Sequence, residues 1–131
     1  MSVMVDSSVW INHLRGHVTP SVAALRRMLA DDSAHLLTAD LVLHEVARGC
    51  RTEREAALVA ERLQGLEVVD LCGARAALSA AKLYRSLRAQ GITVAKTVDL
   101  FIANWCIRER AALLHDDKDF AHFTTHGLAC L

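Results

Sequence analysis

Two hydrophobic patterns alternate along this chain. Short runs of three or four apolar residues predict buried strands, and longer stretches in which apolar residues recur every three or four positions predict helices with one buried face. Strands that alternate with helices in this way are typical of an α/β domain with a parallel sheet. The five predicted strands are residues 3–5, 35–38, 66–69, 112–115 and 127–130.

Residues that start and stop helices separate these strands. The residues expected to cap or open successive helices are Ser7 or Ser8, Pro20, Asp40, Thr52 and Thr97. Gly49 and Gly91 are expected to end the third and fifth helices. The helix after Thr97 is apolar nearly all round, so it is expected at the centre of the molecule.

Length and composition predict one globular domain over residues 1–131. The chain has 131 residues, of which 53% are hydrophobic and 23% are charged, and a chain of this size buries about two-thirds of its unfolded surface. Fifteen acidic residues balance fifteen basic ones. A net charge of zero argues against a uniformly basic nucleic-acid-binding surface and against a polybasic membrane-surface protein, although the two signs can still occupy separate places.

The start of the chain and its cysteines favour a cytoplasmic protein without a membrane segment. Residues 1–6 contain no basic segment before the first acid, unlike a secretory signal, and no apolar run approaches the roughly 18 residues of a membrane span. The four cysteines are Cys50, Cys72, Cys106 and Cys130. Because they are scattered and form no Cys-x-x-Cys pair, they are expected to be reduced and mostly buried.

Five acidic residues fall at the ends of predicted strands or on the helices that follow them. Asp6 follows the first strand, and Asp117 and Asp119 follow the fourth. Asp99 opens the central helix, and Glu45 lies on the helix after the second strand. Ligands of open α/β sheets bind outside the carboxyl ends of the strands, where the strand order reverses. If the first and fourth strands are neighbours, these acids meet in one cleft.

Each acid alone has an ordinary structural explanation: a charge at a helix end, a turn residue or, for Glu45, a surface ion pair with Arg48. Their joint placement favours a single cluster instead. Clustered carboxylates repel one another unless a cation is present, and an all-oxygen set suits Mg²⁺ or Mn²⁺ better than zinc. Because such ions activate water and stabilise charge on phosphate, this set predicts phosphodiester hydrolysis.

Four segments, taken together in this order, resemble the PIN-domain ribonucleases: VMVDSSVWI at 3–11, Glu45, VDLFIA at 98–103 and LLHDDKDF at 113–120. The size and order are most similar to the VapC toxins of prokaryotic toxin–antitoxin pairs, and the resemblance runs from about residue 3 to the end. It implies a three-layer α/β/α fold with a short, mainly parallel five-stranded sheet in the order 3-2-1-4-5. It also implies a Mg²⁺-dependent endoribonuclease in which Mn²⁺ can substitute.

The resemblance and the strand-end placement together suggest a role for each acid. Asp6 and Asp99 would be the primary Mg²⁺ ligands, and Asp117 a further ligand or a holder of metal-bound water. Glu45 would orient the attacking water, and Asp119 would support a second metal or the substrate-side loop.

Further implications of the resemblance concern neighbouring residues and partners. Ser8 matches a polar position that hydrogen-bonds near the metal site in the family, whereas His115 and Asp116 depart from the family's usual residues. VapC-like proteins form homodimers and are neutralised by a VapB-like antitoxin whose C-terminal segment enters or covers the active site. A heterotetramer or a larger assembly with antitoxin is therefore expected.

Several basic residues flank the predicted site along the chain. The candidates for contacts with the RNA backbone are Arg48, Arg51, Arg85, Arg88 and Lys96. Any one of them is explained equally well as part of a solvated helix face, but as a group they suit phosphate contacts. When the five predicted site acids are set aside, ten acidic residues remain against fifteen basic ones, so a neutral chain no longer argues against a nucleic-acid partner.

Two other functions stay open from the sequence. A metal-dependent DNA nuclease would use the same acids, because the chemistry at the phosphate does not involve the sugar. A non-catalytic PIN-fold interaction module would keep the fold and act through partner contacts. A zincin site is excluded because the motif that begins at His44-Glu45 has Arg48 where its second histidine is required. Trp10 and Trp105 are expected in the core.

Overall fold

The computed structural model describes residues 1–131 and contains one five-stranded sheet. Its strands are β1 (Ser2–Val5), β2 (His35–Ala39), β3 (Glu67–Val69), β4 (Ala112–Leu114) and β5 (Ala129–Cys130). They are ordered β3-β2-β1-β4-β5, and every neighbouring pair is parallel. The predicted three-layer α/β/α fold and its strand order are thus confirmed, and β1 lies beside β4 with Val5 opposite Leu114.

Six α-helices and one 3-10 helix connect the strands. They are α1 (Ser7–Leu14), α2 (Pro20–Asp31), α3 (Asp40–Arg48), α4 (Glu53–Leu63), α5 (Ala74–Ala89), α6 (Thr97–Glu109) and the 3-10 helix Lys118–His126. Helix α1 contacts α2 and α3, α3 contacts α4, and α5 packs on α6. None of these helices combines the length with the apolar character that crossing a bilayer requires.

Three of the expected helix caps, those of α1, α3 and α6, are wrong. Helix α1 is capped by Asp6, whose Oδ2 accepts from the backbone N–H of Ser8 at 3.1 Å, rather than by Ser7 or Ser8. The backbone of Asp6 is still extended at the end of β1, so its carboxylate reaches the first free N–H groups before either serine can. Thr97 is the first residue of α6 and makes no capping bond, because the cap position is occupied by Lys96.

Other helix boundaries follow the sequence. Pro20 occupies the first turn of α2 after the capping residue Thr19, and Thr52 caps α4 by accepting from the N–H of Glu55 at 3.1 Å. Asp40, however, is not the cap of α3: it is the first residue of that helix, and Ala39, which is still extended at the end of β2, occupies the cap position. The Oδ1 of Asp40 accepts from the N–H groups of Leu41 and Leu71 at 2.8 and 3.0 Å. It therefore also fixes the chain that leaves β3.

One hydrophobic core fills the space around the central strand. Val3, Met4 and Val5 are fully buried, and 28 buried apolar residues form a single cluster. Helix α6 contributes apolar side chains on several sides, which confirms its central position. Trp10 is 6% exposed, and Trp105 packs partly buried against the same cluster.

The expectation that the cysteines are mostly buried is wrong. All four are free thiols, but only Cys106 is buried, whereas Cys72 and Cys130 are exposed. Cys72 lies in the turn before α5 and Cys130 in the short strand β5. Neither position is enclosed by a helix layer, so the small apolar character of cysteine does not decide its burial there.

Candidate active site

Asp6 is the most deeply buried acid of the predicted site. It lies between β1 and α1, is 3% exposed, and its backbone N–H donates to the carbonyl of Leu114 on β4 at 2.9 Å. Its Oδ2 accepts from the N–H and the hydroxyl of Ser8 at 3.1 and 2.5 Å, while its Oδ1 is buried without any hydrogen-bond partner. Burial raises the pKa of Asp6 even though the Ser8 bonds oppose it. A buried carboxylate oxygen without a donor costs folding free energy, and a cation beside this oxygen would reduce that cost.

Asp99, in the first turn of α6, is a second buried acid whose charge is disfavoured by its surroundings. It is 7% exposed. Burial first, and then the negative charges of Asp6 and Asp117, raise the pKa of Asp99 to about 7. Lys96 acts in the opposite direction but does not cancel these effects. The fold has therefore brought three carboxylates from β1, α6 and the β4 loop close enough to repel one another.

Asp117 is better supplied with donors. Its Oδ1 accepts from the N–H of Asp119 at 2.9 Å and caps the 3-10 helix, and its Oδ2 accepts from Lys96 Nζ at 3.0 Å. Partial burial raises the pKa of Asp117, but the bonds from Asp119 and Lys96 outweigh burial and hold this pKa below its usual value. Asp117 is consequently a stable carboxylate at the mouth of the site.

Glu45 approaches from α3. Its Oε1 accepts from the hydroxyl of Ser7 at 2.9 Å, and its Oε2 lies 3.8 Å from Arg48 Nη2. The Arg48 side chain is 64% exposed, so this long ion pair contributes little stability. The charge of Glu45 nevertheless raises the pKa values of both Asp6 and Asp99, which puts Glu45 within electrostatic reach of the cluster.

Ser7 is a site residue that the sequence prediction missed, since it was considered only as a possible helix cap. It is 8% exposed and holds the carboxylate of Glu45 across 38 positions of sequence. The pair of serines after Asp6 is the signal in the sequence that could have identified it. At the start of α1, the hydroxyl of Ser7 donates to Glu45 on α3, and the hydroxyl of Ser8 donates back to Asp6.

Asp119 and Asp116 lie on opposite sides of Asp117. Asp119 is half-buried and lines a cavity of about 90 Å³ together with Lys96, Asp99 and His122. Asp116 points away, because its Oδ2 accepts from Asn12 Nδ2 at 2.9 Å and Thr19 Oγ1 at 2.7 Å. Asp119 thus stands beside the acid cluster, whereas Asp116 is held by α1 and the start of α2.

Ser8 links the two strands that carry the site. Its hydroxyl donates to Asp6 Oδ2 at 2.5 Å and accepts from the N–H of Asp116 at 3.0 Å. One side chain therefore fixes both the carboxylate at the end of β1 and the backbone that leaves β4.

The predicted basic residues are distributed unevenly around this cluster. Lys96 pairs with Asp117, and Arg48 flanks Glu45. Arg88 Nη1 donates to Thr93 Oγ1 at 2.9 Å, and Thr93 lines the cavity beside Asp99. Arg51 and Arg85 are exposed and make no ion pair with the acids.

The donor set fits a hard divalent cation, although the side chains do not form a closed cage. No three of the His, Cys, Asp and Glu side chains converge closely enough to ligate one ion by themselves. Mg²⁺, however, usually keeps several waters and takes only one or two carboxylates. Asp6 and Asp99 would supply that pair, since one has an unpartnered buried oxygen and the other a pKa raised to about 7 by burial and neighbouring acids.

Known proteins share both the sequence pattern and the fold. The chain is 26% identical over 118 residues to the ribonuclease VapC11 of Mycobacterium tuberculosis, and the alignment covers 90% of this chain and 88% of that protein. Three solved structures illustrate the shared fold. In the first, VapBC2 from Rickettsia felis is bound to a DNA fragment from its promoter, and the match has a TM-score of 0.78 at 19% identity and covers 100% of this chain and 98% of that one.

The two other structures match over similar lengths. VapBC-1 from nontypeable Haemophilus influenzae gives a TM-score of 0.75 at 22% identity, with 100% and 97% of the two chains covered. The sarcin-ricin loop cleaving toxin VapC20 of Mycobacterium tuberculosis gives 0.64 at 18% identity, with 97% and 96% covered. The sequence profile of the PIN domain matches residues 3–125, a span that includes all five acids and every strand except β5. The chain therefore belongs to the PIN domain family.

Proposed function

We propose that this chain is a Mg²⁺-dependent endoribonuclease that acts as the toxin of a toxin–antitoxin pair. The observation that carries the proposal is the buried, unpartnered Oδ1 of Asp6 within a group of acids that also raises the pKa of Asp99 to about 7. Such a group needs a divalent cation to be stable as carboxylates. The relatives named as ribonuclease and as a loop-cleaving toxin support RNA as the substrate.

In this proposal Asp6 and Asp99 hold the cation, which when bound lowers the pKa of a water and neutralises charge on the phosphate. Ser8 fixes the carboxylate of Asp6 by its hydroxyl bond. Glu45, oriented by Ser7, accepts a proton from the attacking water. Asp117 would be a further ligand or hold a further water, and Asp119 would support a second metal or the substrate-side loop.

The basic side chains would hold the RNA backbone on either side of the acids. Lys96 and Arg88 border the cavity next to Asp99, and Arg48 flanks Glu45. Arg51 and Arg85 lie further out and would make non-specific phosphate contacts. RNA affinity is then expected to fall steeply as the salt concentration rises.

The proposed partner is a VapB-like antitoxin, since two of the similar structures described above are VapBC complexes. An apolar cleft between α1, α2 and α4 offers a surface for one of its segments: it has a volume of about 180 Å³ and is lined by Trp10, Leu14, Leu29 and Leu63. Leu14 and Leu29 are 48% and 41% exposed, and the indole N–H of Trp10 is buried without an acceptor.

We further propose that the chain forms a homodimer, which assembles with the antitoxin into a heterotetramer or a larger complex. The proposed location is the cytoplasm, where RNA is available. Co-expression with the product of the adjoining gene tests the partner. Leu14→Glu is expected to weaken that complex while leaving RNA cleavage intact, and an unchanged complex would remove this cleft from the proposal.

The activity is tested with Asp6→Asn and Asp99→Asn proteins, cleaving a structured RNA in Mg²⁺ or Mn²⁺. We expect each change to lower the cleavage rate by about 100-fold or more, because a ligand of the cation is lost. Asp70→Asn is the matched control, since Asp70 is exposed and makes no side-chain hydrogen bond or ion pair. Rates equal to wild type in both site variants would refute the proposal.

A DNA strand of the same sequence separates the two nuclease functions. Cleavage of DNA at the same rate would favour a nuclease that does not distinguish the sugar. If the protein cleaves neither RNA nor DNA but still forms the partner complex, the non-catalytic interaction module is favoured.

A further inference from the structure

Lys96 is the basic side chain most closely engaged with the acid cluster. Its Nζ lies 3.0 Å from Asp117 Oδ2, and the side chain is 59% exposed, so solvent and ligands can reach the ammonium group. It lines the same cavity as Asp99 and Asp119. The interactions with Asp117, and then the charges of Asp99 and Asp119, raise the pKa of Lys96. Its ammonium group thus pairs with Asp117 and lies within electrostatic reach of Asp99 and Asp119.

Helix formation does not explain a lysine at this position. Lys96 is the cap residue of α6 and makes no side-chain capping bond there. Serine, threonine, aspartate and asparagine are the residues that stabilise this position, and a positive charge at a helix N-terminus is electrostatically unfavourable. The local structure therefore disfavours the ammonium group, and the neighbouring acids are what stabilise it.

The charge that Lys96 supplies is incomplete. It pairs directly with Asp117 and leaves the Oδ1 of Asp6 without a partner and the pKa of Asp99 raised. One ammonium group on a flexible stem therefore neutralises the outermost acid and not the two deepest ones. A divalent cation held by Asp6 and Asp99 would carry the same sign of charge as the Lys96 ammonium group and would repel it.

We propose that Lys96 is a built-in counter-ion that holds Asp117 while the site is metal-free, and that it leaves Asp117 when a divalent cation binds and then contacts an RNA phosphate. This inference rests on the proposed metal-dependent nuclease function. It predicts a competition that a purely structural ion pair would not show: removal of the ammonium group weakens the metal-free protein and strengthens its affinity for the cation.

The test compares Lys96→Met with wild type by calorimetric titration of the metal-free protein with Mg²⁺, and by thermal unfolding with and without Mg²⁺. We expect the Mg²⁺ dissociation constant to fall about threefold to fivefold, which corresponds to the loss of one partly exposed ion pair. The melting temperature without metal should fall, and the rise on adding Mg²⁺ should be larger than in wild type.

Lys118→Met is the matched control. Lys118 is exposed, follows Asp117 directly and makes no ion pair, so its removal changes the net charge near the site by the same amount. Its Mg²⁺ dissociation constant should stay within about twofold of wild type. An equal gain in both variants would show a general charge effect and overturn the proposal.

RNA provides the second readout. At saturating Mg²⁺, Lys96→Met should raise the KM for RNA, because the phosphate contact is lost, and Lys96→Arg should restore it. Unchanged or weaker Mg²⁺ binding by Lys96→Met, in a protein whose wild type binds Mg²⁺ and cleaves RNA, would overturn this inference alone. If the wild type binds no Mg²⁺ and cleaves no RNA, the proposed function fails and this inference with it.

Discussion

The two deepest acids of this protein are held in conditions that disfavour their charge. Asp6 has one oxygen satisfied twice by Ser8 and one oxygen with no donor, while Asp99 is surrounded by other acids. Water would supply the missing donors at the surface, but these side chains are 3% and 7% exposed. Burial therefore costs stability at these two positions, and under the proposed function a cation held by the two carboxylates would offset that cost.

The raised pKa of Asp99 makes this cost measurable as a dependence of protein stability on pH. Its pKa is about 7 in the folded protein and 3.8 in the ordinary reference state, so the folded state binds the proton more tightly. Stability from this group is therefore present below about pH 4 and is lost as the pH rises towards 7. We expect the melting temperature of metal-free wild type to fall between pH 5 and 8 by at least about 3 °C more than that of Asp99→Asn.

Chelator must be present throughout that measurement, and saturating Mg²⁺ is expected to abolish the difference between the two proteins. Parallel pH profiles for wild type and Asp99→Asn without metal would contradict the raised pKa of Asp99.

The segment after β4 is the element that positions the outer acids. Its backbone is tied to the start of α1 by the bond from the Asp116 N–H to Ser8 Oγ, and the Asp116 side chain accepts from Asn12 and Thr19. These bonds turn Asp116 outward, which leaves Asp117 facing Lys96 and the cluster. The same three-residue stretch thus carries a structural acid and a functional one.

Asp116→Ala should therefore destabilise the protein and disturb the site together. Loss of two side-chain hydrogen bonds from a charged acceptor is expected to lower the free energy of unfolding by about 1–3 kcal/mol, as measured by urea titration. Asp70→Ala, at an exposed aspartate without such bonds, should change it by less than about 0.5 kcal/mol. Equal stability of the two variants would show that the Asn12 and Thr19 contacts contribute nothing.

At the scale of the whole molecule, the parallel order β3-β2-β1-β4-β5 assembles the acids. The order changes direction at β1, so the carboxyl ends of β1 and β4 lie side by side. Asp99, in the first turn of α6, is close enough to Asp6 and Asp117 for their charges to raise its pKa. The net charge of zero then divides into five acids concentrated here and an excess of basic residues elsewhere. A neutral protein can in this way hold both a cation and a polyanion.

Because the acids come together only in the folded state, Mg²⁺ should stabilise the whole domain. Millimolar Mg²⁺ is expected to raise the melting temperature, since a ligand that binds only the folded form shifts the equilibrium by mass action. Asp6→Asn should lose most of that rise, and NaCl at equal ionic strength controls for general charge screening. No shift in wild type would speak against a preformed site.

Most of the fold could be predicted from the sequence because its signals are local. Three-residue apolar runs marked β1 and β4, and Pro20 and Thr52 marked helix starts that the structure confirms. The predicted caps of α1, α3 and α6 were wrong, because Asp6, Ala39 and Lys96 occupy the cap positions that a neighbouring polar side chain could have filled. Local patterns identify a helix start more reliably than the group that satisfies it.

What the sequence alone determined was the alternation of strands and helices and the placement of acids at their junctions. Its resemblance to a family supplied the strand order, which residue patterns did not. Only the tertiary structure decided the pairing of Lys96 with Asp117, of Ser7 with Glu45 and of Asp116 with Asn12, because these contacts join residues 21, 38 and 104 positions apart. Such contacts depend on the packing of whole elements, and periodicity along a chain carries no information about which side chains that packing brings together.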